Sequence, residues 1–159
     1  MHRRATADLS RILPDILAPW GLTNYASSAW RLSGGNLHDM FRIDAPSGRF
    51  AVRVYAEDTI RGRIEAALPW IQHLANQLPE VPDLVPTADG DLMSDAHDRF
   101  ATLVPFIEGT TPDATIPAVR ANAAHALARI HRASATIPNP VPRFSEPAWR
   151  DLNWQVNHA

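Results

Sequence analysis

The chain has no lysine and no cysteine among its 159 residues. All 15 of its Lys-or-Arg positions are arginine, so every cationic task falls to a guanidinium group. Arginine is bulkier than lysine, stays charged and favours bidentate contacts, which changes the geometry of any site that uses it. The absence of cysteine excludes disulfide staples, thiolate zinc sites and a cysteine nucleophile.

Positive and negative charges nearly balance, because the chain has 15 cationic and 17 acidic residues and a formal net charge of -2. That balance provides no broad basic field, so we expect no nucleic-acid partner and no membrane partner. No apolar run approaches the ~18 residues that a membrane helix needs. The basic start, Met1 to Arg4, is followed by a stretch that Pro14, Asp15 and Pro19 interrupt, so no signal-peptide core forms. We therefore expect a soluble cytoplasmic protein.

The chain is organised around a glycine pair and a strand that carries a cation. The pair lies in Leu32-Ser33-Gly34-Gly35-Asn36, and the strand is Phe50 to Tyr55 with Arg53 among β-forming residues. Two adjacent glycines let the backbone turn sharply and approach a ligand, as a phosphate-covering hairpin requires. A plain hairpin turn explains the same pair, so the glycines alone leave two interpretations open.

The first half of the chain predicts one helix and a three-stranded antiparallel meander. Helical spacing of apolar residues runs from Ala5 to Trp20, with Gly21 as a stop signal. The strands are Tyr25 to Leu32, Met40 to Asp44 and Phe50 to Tyr55.

A second, longer helix follows, with Asp58 as its expected cap and an apolar stripe from Ile60 to Leu78. Pro69 should kink this helix or divide it. Glu65 lies beside the stripe, so its side chain either reaches inward or forms a surface pair with Arg61 one turn earlier. The sequence does not decide between these alternatives.

The second half predicts a hairpin at Asp89-Gly90 that leads into Asp91 to Ser94, an apolar strand from Arg99 to Ile107 and a helix that opens between Asp113 and Pro117. The buried stripe of that helix is expected at Ile116, Val119, Ala123, Leu127 and Ile130. Beyond Ala133 the chain becomes proline-rich, and a helix-like end runs from Trp149 to Val156.

The order of these features resembles the aminoglycoside phosphotransferase family of small-molecule kinases, which is similar to homoserine and choline kinases. The resemblance implies an α+β fold: a protein-kinase-like N-terminal lobe, with an antiparallel sheet of about five strands and a long packed helix. The first helices of an incomplete C-terminal lobe would follow. The resemblance divides the chain into two parts. Residues 1–107 are the ATP-binding lobe, and residues 108–159 are the lobe connection and the start of a truncated helical lobe.

The same resemblance assigns nucleotide-binding roles to particular residues. Ser33, Gly34 and Gly35 match the loop that covers the ATP phosphates. Arg53 matches the strand cation that holds the α- and β-phosphates, a position that is normally lysine, and Glu65 matches the helix acid that pairs with it.

The segment Val104 to Ile107 matches the connection between the lobes, where backbone groups bind adenine. The Pro105 carbonyl would accept a hydrogen bond from the adenine amino group, and the Ile107 N–H would donate to a ring nitrogen. A proline is acceptable there because only its carbonyl is used.

The sequence departs from the family in its catalytic part. Phosphoryl transfer needs an Asp to accept the substrate proton, and an Asn and a second Asp to hold metal ions. The His-Gly-Asp loop that supplies the first of these does not occur before Ala159. His97-Asp98-Arg99 only looks like it and is interpreted as a solvated turn. We therefore expect no catalytic and no metal-binding residues, weak ATP binding or none, and Mg²⁺ only in full-length members.

Three functions follow from this reasoning and remain alternatives. The chain is the N-terminal portion of a kinase that would transfer the ATP γ-phosphate to a small hydroxylated substrate and is inactive alone. Otherwise it is a non-catalytic module that binds nucleotide or protein, or a truncated gene product. For the incomplete kinase, the apolar face of the helix from Ile116 to Ile130 would lack its partners in the larger lobe, and such exposed helix faces predict self-association.

Overall fold

The computed structural model describes residues 5–33, 37–56 and 59–137. Within these ranges the chain is an α+β fold with three α-helices and five strands. In chain order the elements are α1 (Ala5–Leu17), β1 (Trp30–Arg31), β2 (Asp39–Ala45), β3 (Gly48–Val54), α2 (Arg61–Ala75), β4 (Ser94–Ala96), β5 (Arg99–Pro105) and α3 (Pro117–Ser134).

The strands form one antiparallel sheet in the order β1-β2-β3-β5-β4, which confirms the expected five-stranded architecture. β2 and β3 are joined by the short turn predicted between Ala45 and Gly48, and these two residues pair across it. β3 is the central strand, so the residues that it carries have neighbours on both sides.

One face of the sheet is buried beneath α1. Directly opposed residues of antiparallel strands share a face, and Val52 stands opposite Phe41 and Leu103, all three of them buried. Leu13 and Ile16 of α1 complete this core. Burying an aliphatic side chain of this size contributes roughly 1.5–3 kcal/mol, so α1 is a large part of what holds the sheet together.

The end of α1 follows the predicted stop signal. The α-helix ends at Leu17, and a 3₁₀ turn, Ala18–Trp20, carries the chain to Gly21. Gly21 has φ 68°, the left-handed conformation that glycine adopts without a Cβ penalty, and its N–H donates to Ala18 O at 2.9 Å. The Trp20 indole N–H donates to Val85 O at 2.8 Å and fixes this corner.

The strand predicted from Tyr25 to Leu32 is wrong for most of its length. A 3₁₀ segment, Thr23–Ser28, occupies its first part, and β1 retains only Trp30–Arg31. Ser28 Oγ donates to Tyr25 O at 3.1 Å. Short polar side chains that bond to the local backbone offer an alternative to strand pairing, and they prevail here.

α2 begins at Arg61, with Ile60 at the N-cap position, and it continues through Pro69 without being divided. The expected cap, Asp58, lies outside the described residues. Leu68 is the buried residue of this helix, so the apolar stripe is covered over only part of its length. The hairpin predicted at Asp89-Gly90 is present only as a turn, in which Thr87 N donates to Asp91 O at 2.8 Å. In the described part of the chain the following strand, β4, begins at Ser94 and not at Asp91.

α3 begins at Pro117, close to the predicted start, but its apolar stripe is not buried. Ile116, just before the helix, is 46% exposed and Leu127 is 53% exposed. In the described part of the chain the interpretation of these residues as a buried stripe is therefore wrong, and the expectation of exposed helix faces is confirmed. The proline-rich segment from Pro138 and the helix predicted at Trp149 to Val156 lie outside the described residues.

Among the helices of the described ranges, none combines the length and the hydropathy that a bilayer crossing requires.

Candidate functional site

The face of the sheet opposite α1 carries Arg53. Val52 and Val54 point into the core, so Arg53 points the other way, and it stands opposite Met40 on β2 and Thr102 on β5. A cavity of about 220 Å³ lies on this face, and we name it the Arg53 cavity. It is lined by Met40, Ala51, Arg53, Tyr55, Ile71, Pro82, Leu84, Thr102 and Val104.

Arg53 is an exposed residue. Within residues 5–33, 37–56 and 59–137, its guanidinium has no hydrogen bond and no ion pair. The other walls of the Arg53 cavity are largely apolar. An arginine placed this way can offer all its donors to an anionic ligand, in the bidentate geometry that suits phosphate.

Aromatic side chains close the end of this face towards β4. Tyr55 stacks on Phe100 with ring centres 4.9 Å apart. The His38 ring packs edge-to-face with Tyr55, and the centres of these two rings are 4.8 Å apart. The Tyr55 hydroxyl lies 3.4 Å from Thr102 Oγ1. Sequence reasoning missed Tyr55 and Thr102 as lining residues, although the two-residue strand period already placed Tyr55 on the same face as Arg53.

The expected pair between Arg53 and Glu65 is not formed. Glu65 Oε1 accepts a hydrogen bond from Arg61 Nε at 2.7 Å, and Arg61 is also bonded to Asp95 on β4. The Arg61 guanidinium lies 6.0 Å from the centre of the Phe100 ring. Of the two alternatives that the sequence left open, the surface pair is the one observed, because Arg61 is already held at this end of the sheet.

The connecting segment, which we define as residues 105–108, leaves β5 at the other end of the open face. Tyr55 N donates to Phe100 O, and Phe106 N donates to Arg49 O at 2.8 Å. Hydrogen-bonded pairs alternate along an antiparallel ladder, so Phe50 and Pro105 form a non-hydrogen-bonded pair and the Pro105 carbonyl points away from β3. The Ile107 N–H has no hydrogen-bond partner in the described part of the chain.

The glycine pair, Gly34 and Gly35, lies outside the described residues. The chain leading to it is placed by Leu32 N, which donates to Met40 O at 2.8 Å. Met40 is opposite Arg53, so Leu32 lies at the same level of the sheet as Arg53. The exposed Ser33 is the next residue along the chain. The structure therefore places Arg53 on the open face, leaves the Pro105 carbonyl and the Ile107 N–H unpaired at the end of β5 within the described part of the chain, and places Glu65 with Arg61.

A larger cavity, of about 530 Å³, lies between α2 and the segment before β5. Its lining includes Glu65, Asp89, Asp91 and Asp95, with Arg61 as the cation among them. An excess of carboxylates repels phosphate, so this cavity does not have the chemistry of a nucleotide site despite its size.

Metal ligands are a separate question. Over residues 5–33, 37–56 and 59–137, no three His, Asp or Glu side chains lie close enough together to hold a metal ion.

Comparison with known proteins identifies the family. A model of the phosphotransferase enzyme family matches residues 29–159. The chain belongs to this family. The resemblance drawn from the order of the sequence features is confirmed.

Curated relatives include the homoserine kinases of Brucella ovis and Brucella canis, each 28% identical over 137 residues. The match covers 86% of this chain and 40% of each relative. The chain thus spans less than half the length of the curated relatives it matches.

Solved structures share the fold. A microcompartment-associated aminopropanol kinase matches with a TM-score of 0.68 at 22% identity, over 86% of this chain and 44% of that one. A spectinomycin phosphotransferase in complex with ADP and spectinomycin matches with a TM-score of 0.55 at 14% identity, over 82% of this chain and 41% of that one. The coverage is that expected of an N-terminal, kinase-like lobe.

Proposed function

We propose that this chain provides the ATP-binding lobe of a phosphotransferase that transfers the γ-phosphate of ATP to a hydroxyl group of a small molecule. One observation carries the proposal. In the described part of the chain, Arg53 on β3 is an unpaired cation, and the neighbouring strand β5 ends in the unpaired backbone groups of Pro105 and Ile107. Phe50, which is opposite Pro105, is three residues from Arg53, a distance of roughly 10 Å along the strand.

The base end of the nucleotide would lie against the connecting segment. The Pro105 carbonyl would accept from the adenine amino group, and the Ile107 N–H would donate to a ring nitrogen. Ala51 and Val104, which are opposite each other on β3 and β5, line the cavity at that end and give the ring an apolar surface.

The phosphate end would lie over Arg53, beneath the loop of Ser33, Gly34 and Gly35. Arg53 would contact the α- and β-phosphates, as the cation at this strand position does in kinase-like folds. Glu65 is not required in this arrangement, because the phosphates themselves are the anionic partner of Arg53.

The two parts of the chain would have different roles. Residues 1–107 would form the ATP-binding lobe, and residues 108–159 would form the lobe connection and the start of a helical lobe. In kinase-like enzymes an Asp of the larger lobe accepts the substrate proton, and no His-Gly-Asp loop that would supply it occurs in this sequence. When bound, Mg²⁺ supplies neutralisation of phosphate charge. This chain alone therefore binds nucleotide without transferring phosphate.

The size of the cavity supports weak binding. At about 220 Å³ the Arg53 cavity is smaller than the ~300–1,000 Å³ of typical small-molecule sites, as expected when one wall belongs to another part of the protein. Charge-assisted hydrogen bonds contribute roughly 1.5–3 kcal/mol each, whereas association costs at least ~4 kcal/mol. A dissociation constant in the millimolar range is the expected result.

The substrate class is taken from the relatives. Homoserine, aminopropanol and spectinomycin, in the names of the similar proteins, are small molecules. We therefore assign a small hydroxylated molecule as the phosphate acceptor of the complete enzyme.

The test is a calorimetric titration of the chain with ATP and Mg²⁺, repeated on the Arg53→Ala variant. We expect millimolar binding to be lost in Arg53→Ala and kept in Arg11→Ala, which removes an exposed arginine from α1 on the opposite side of the sheet. Equal affinity of the native chain and Arg53→Ala would contradict the proposal. Turnover of ATP by the chain alone would contradict its assignment as a lobe without catalytic residues.

A further inference from the structure

A group of four charged residues joins the connecting segment, through its last residue, to the β2–β3 hairpin. Arg42 and Asp44 lie on β2, where Arg42 is opposite Ala51 and Asp44 is opposite Arg49. These residues share the face of Arg53, since Ala51 does. We name the group formed by Arg42, Asp44, Arg49 and Glu108 the clasp.

Arg42 has the most contacts in the clasp. Its Nε and Nη2 donate to the two carboxylate oxygens of Asp44 at 2.7 and 2.9 Å, a bidentate pair. Its guanidinium lies 4.8 Å from the centre of the Phe106 ring, within cation–π distance. Its side chain is only 26% exposed, the least of the four.

Glu108 connects the clasp to the end of the connecting segment. Its carboxylate is bonded to Arg49, and its Oε1 lies 3.8 Å from Arg42 Nη1. The backbone adds a third link, because Phe106 N donates to Arg49 O at 2.8 Å. Residues 106 and 108 are therefore both tied to the β2–β3 hairpin, and Ile107 lies between them.

These contacts restrict the backbone of Ile107, which lies between the two fixed residues. Ile107 is 62% exposed, and its N–H has no partner in the described part of the chain, so its own packing does little to orient it. Fixing the residues on both sides limits the directions in which its N–H can point. A backbone group whose direction is fixed before binding loses less conformational entropy when the ligand binds, so binding costs less free energy.

We propose that Glu108, held by Arg49 and Arg42, is a positioning residue that orients the Ile107 N–H and the Pro105 carbonyl for a purine base. This inference rests on the proposed nucleotide site and adds the residues that prepare it. Glu108 does not touch the nucleotide. It acts through the backbone on either side of Ile107.

The test uses the native chain and two variants that remove one carboxylate from an exposed Arg–Glu pair. Glu108→Gln opens the clasp, and Glu80→Gln is the matched control, because it removes the pair between Glu80 and Arg129 of α3. Hydrogen exchange at the Phe106 amide reports on the clasp without nucleotide. Backbone resonance shifts of Ile107 during titration with ADP report on the site.

We expect Glu108→Gln to accelerate exchange at Phe106 and to weaken the ADP response of Ile107, each by about two- to fivefold, the factor that an exposed ion pair is worth. Glu80→Gln should change neither, and Glu108→Asp, which keeps the charge, should restore part of both. High salt should also accelerate exchange at Phe106 in the absence of nucleotide, because screening weakens these pairs. A purely structural role would accelerate exchange at Phe106 and leave the ADP response of Ile107 unchanged.

Two other results overturn the inference in distinguishable ways. Unchanged exchange at Phe106 in Glu108→Gln would show that the clasp does not hold the connecting segment, whatever the nucleotide does. Faster exchange at Phe106, with no ADP response anywhere on the open face of the native chain, would refute the nucleotide site and with it the positioning role.

Discussion

The Glu65 carboxylate accepts a hydrogen bond from Arg61 Nε at 2.7 Å, and the same arginine is bonded to Asp95 across the sheet edge. The first turn of α2 is thereby tied to β4. Arg53, one strand away from β5, has no such partner in the described residues and is left available to a ligand. Arg61 and Arg53 thus differ in role, because Arg61 holds a helix and Arg53 faces a cavity.

This arrangement predicts that Glu65→Gln leaves nucleotide affinity unchanged. Both side chains of the Arg61–Glu65 pair are about half exposed, and pairs of this kind contribute roughly 0–1 kcal/mol. Urea unfolding should therefore show a stability loss of less than about 1 kcal/mol. A large fall in ATP affinity in the same variant would mean that Glu65 does reach Arg53 in the bound state.

A second prediction concerns the layer formed by α1. Ile16 is fully buried in the core, and truncation of such a residue leaves a cavity, so Ile16→Ala should lower the free energy of unfolding by about 2–5 kcal/mol. Leu127→Ala on α3, where the residue is half exposed, should stay within about 0.5 kcal/mol of the native chain. Urea denaturation of both variants checks the contrast, and equal losses would contradict the assignment of the core.

A third prediction is that the chain associates with itself through the exposed apolar residues at α3. Ile116 and Leu127 are 46% and 53% exposed, and apolar surface left uncovered promotes association. Light scattering over a range of concentrations should show a rising mass for the native chain and a smaller rise for Leu127→Glu. A stable monomer throughout would count against this prediction.

The fourth prediction concerns pH and Asp44. The hydrogen bonds from Arg42 are the main reason why the pKa of Asp44 lies below its ordinary 3.8, against a smaller opposing effect of desolvation. A carboxylate whose pKa is lower in the folded state stabilises the fold above its unfolded pKa, and this contribution is lost as the pH falls through the folded pKa. The acid limb of the stability curve, below about pH 4, should therefore be shallower in Asp44→Asn.

Arg42→Gln provides the matching check on Asp44. Without the guanidinium, the pKa of Asp44 should rise towards its ordinary value, and carboxyl resonances followed from pH 6 to pH 2 would show it. An Asp44 titration that does not move in Arg42→Gln would disprove the role given to this hydrogen-bonded pair.

Much of the fold could be predicted because local signals and packing agree. The alternation around Arg53 fixed both the strand and the face on which the cation lies, and Gly21 marked the end of the first helix. The strand predicted from Tyr25 is wrong because a local side-chain hydrogen bond, from Ser28 to Tyr25 O, outweighs the β-forming residues there. The strand propensity of single residues does not include such local bonds.

The partner of Glu65 could not be predicted for a different reason. Arg61 is within reach along the helix, and Arg53 is within reach only if the helix packs in one particular register. The contact that decides between them, Arg61 with Asp95, joins residues 34 positions apart in the sequence. The clasp was missed for the same reason, because Arg49 and Glu108 meet only when β3 and β5 are paired.

The most direct test of the nucleotide-binding account is a map of backbone resonance shifts on titration with ATP. We predict that the shifts concentrate on the open face, at Met40, Ala51, Arg53, Val104 and Ile107, with a millimolar midpoint. Shifts that cluster instead around Arg61, Asp91 and Asp95 in the larger cavity, or no shifts at saturating ATP, would contradict the account.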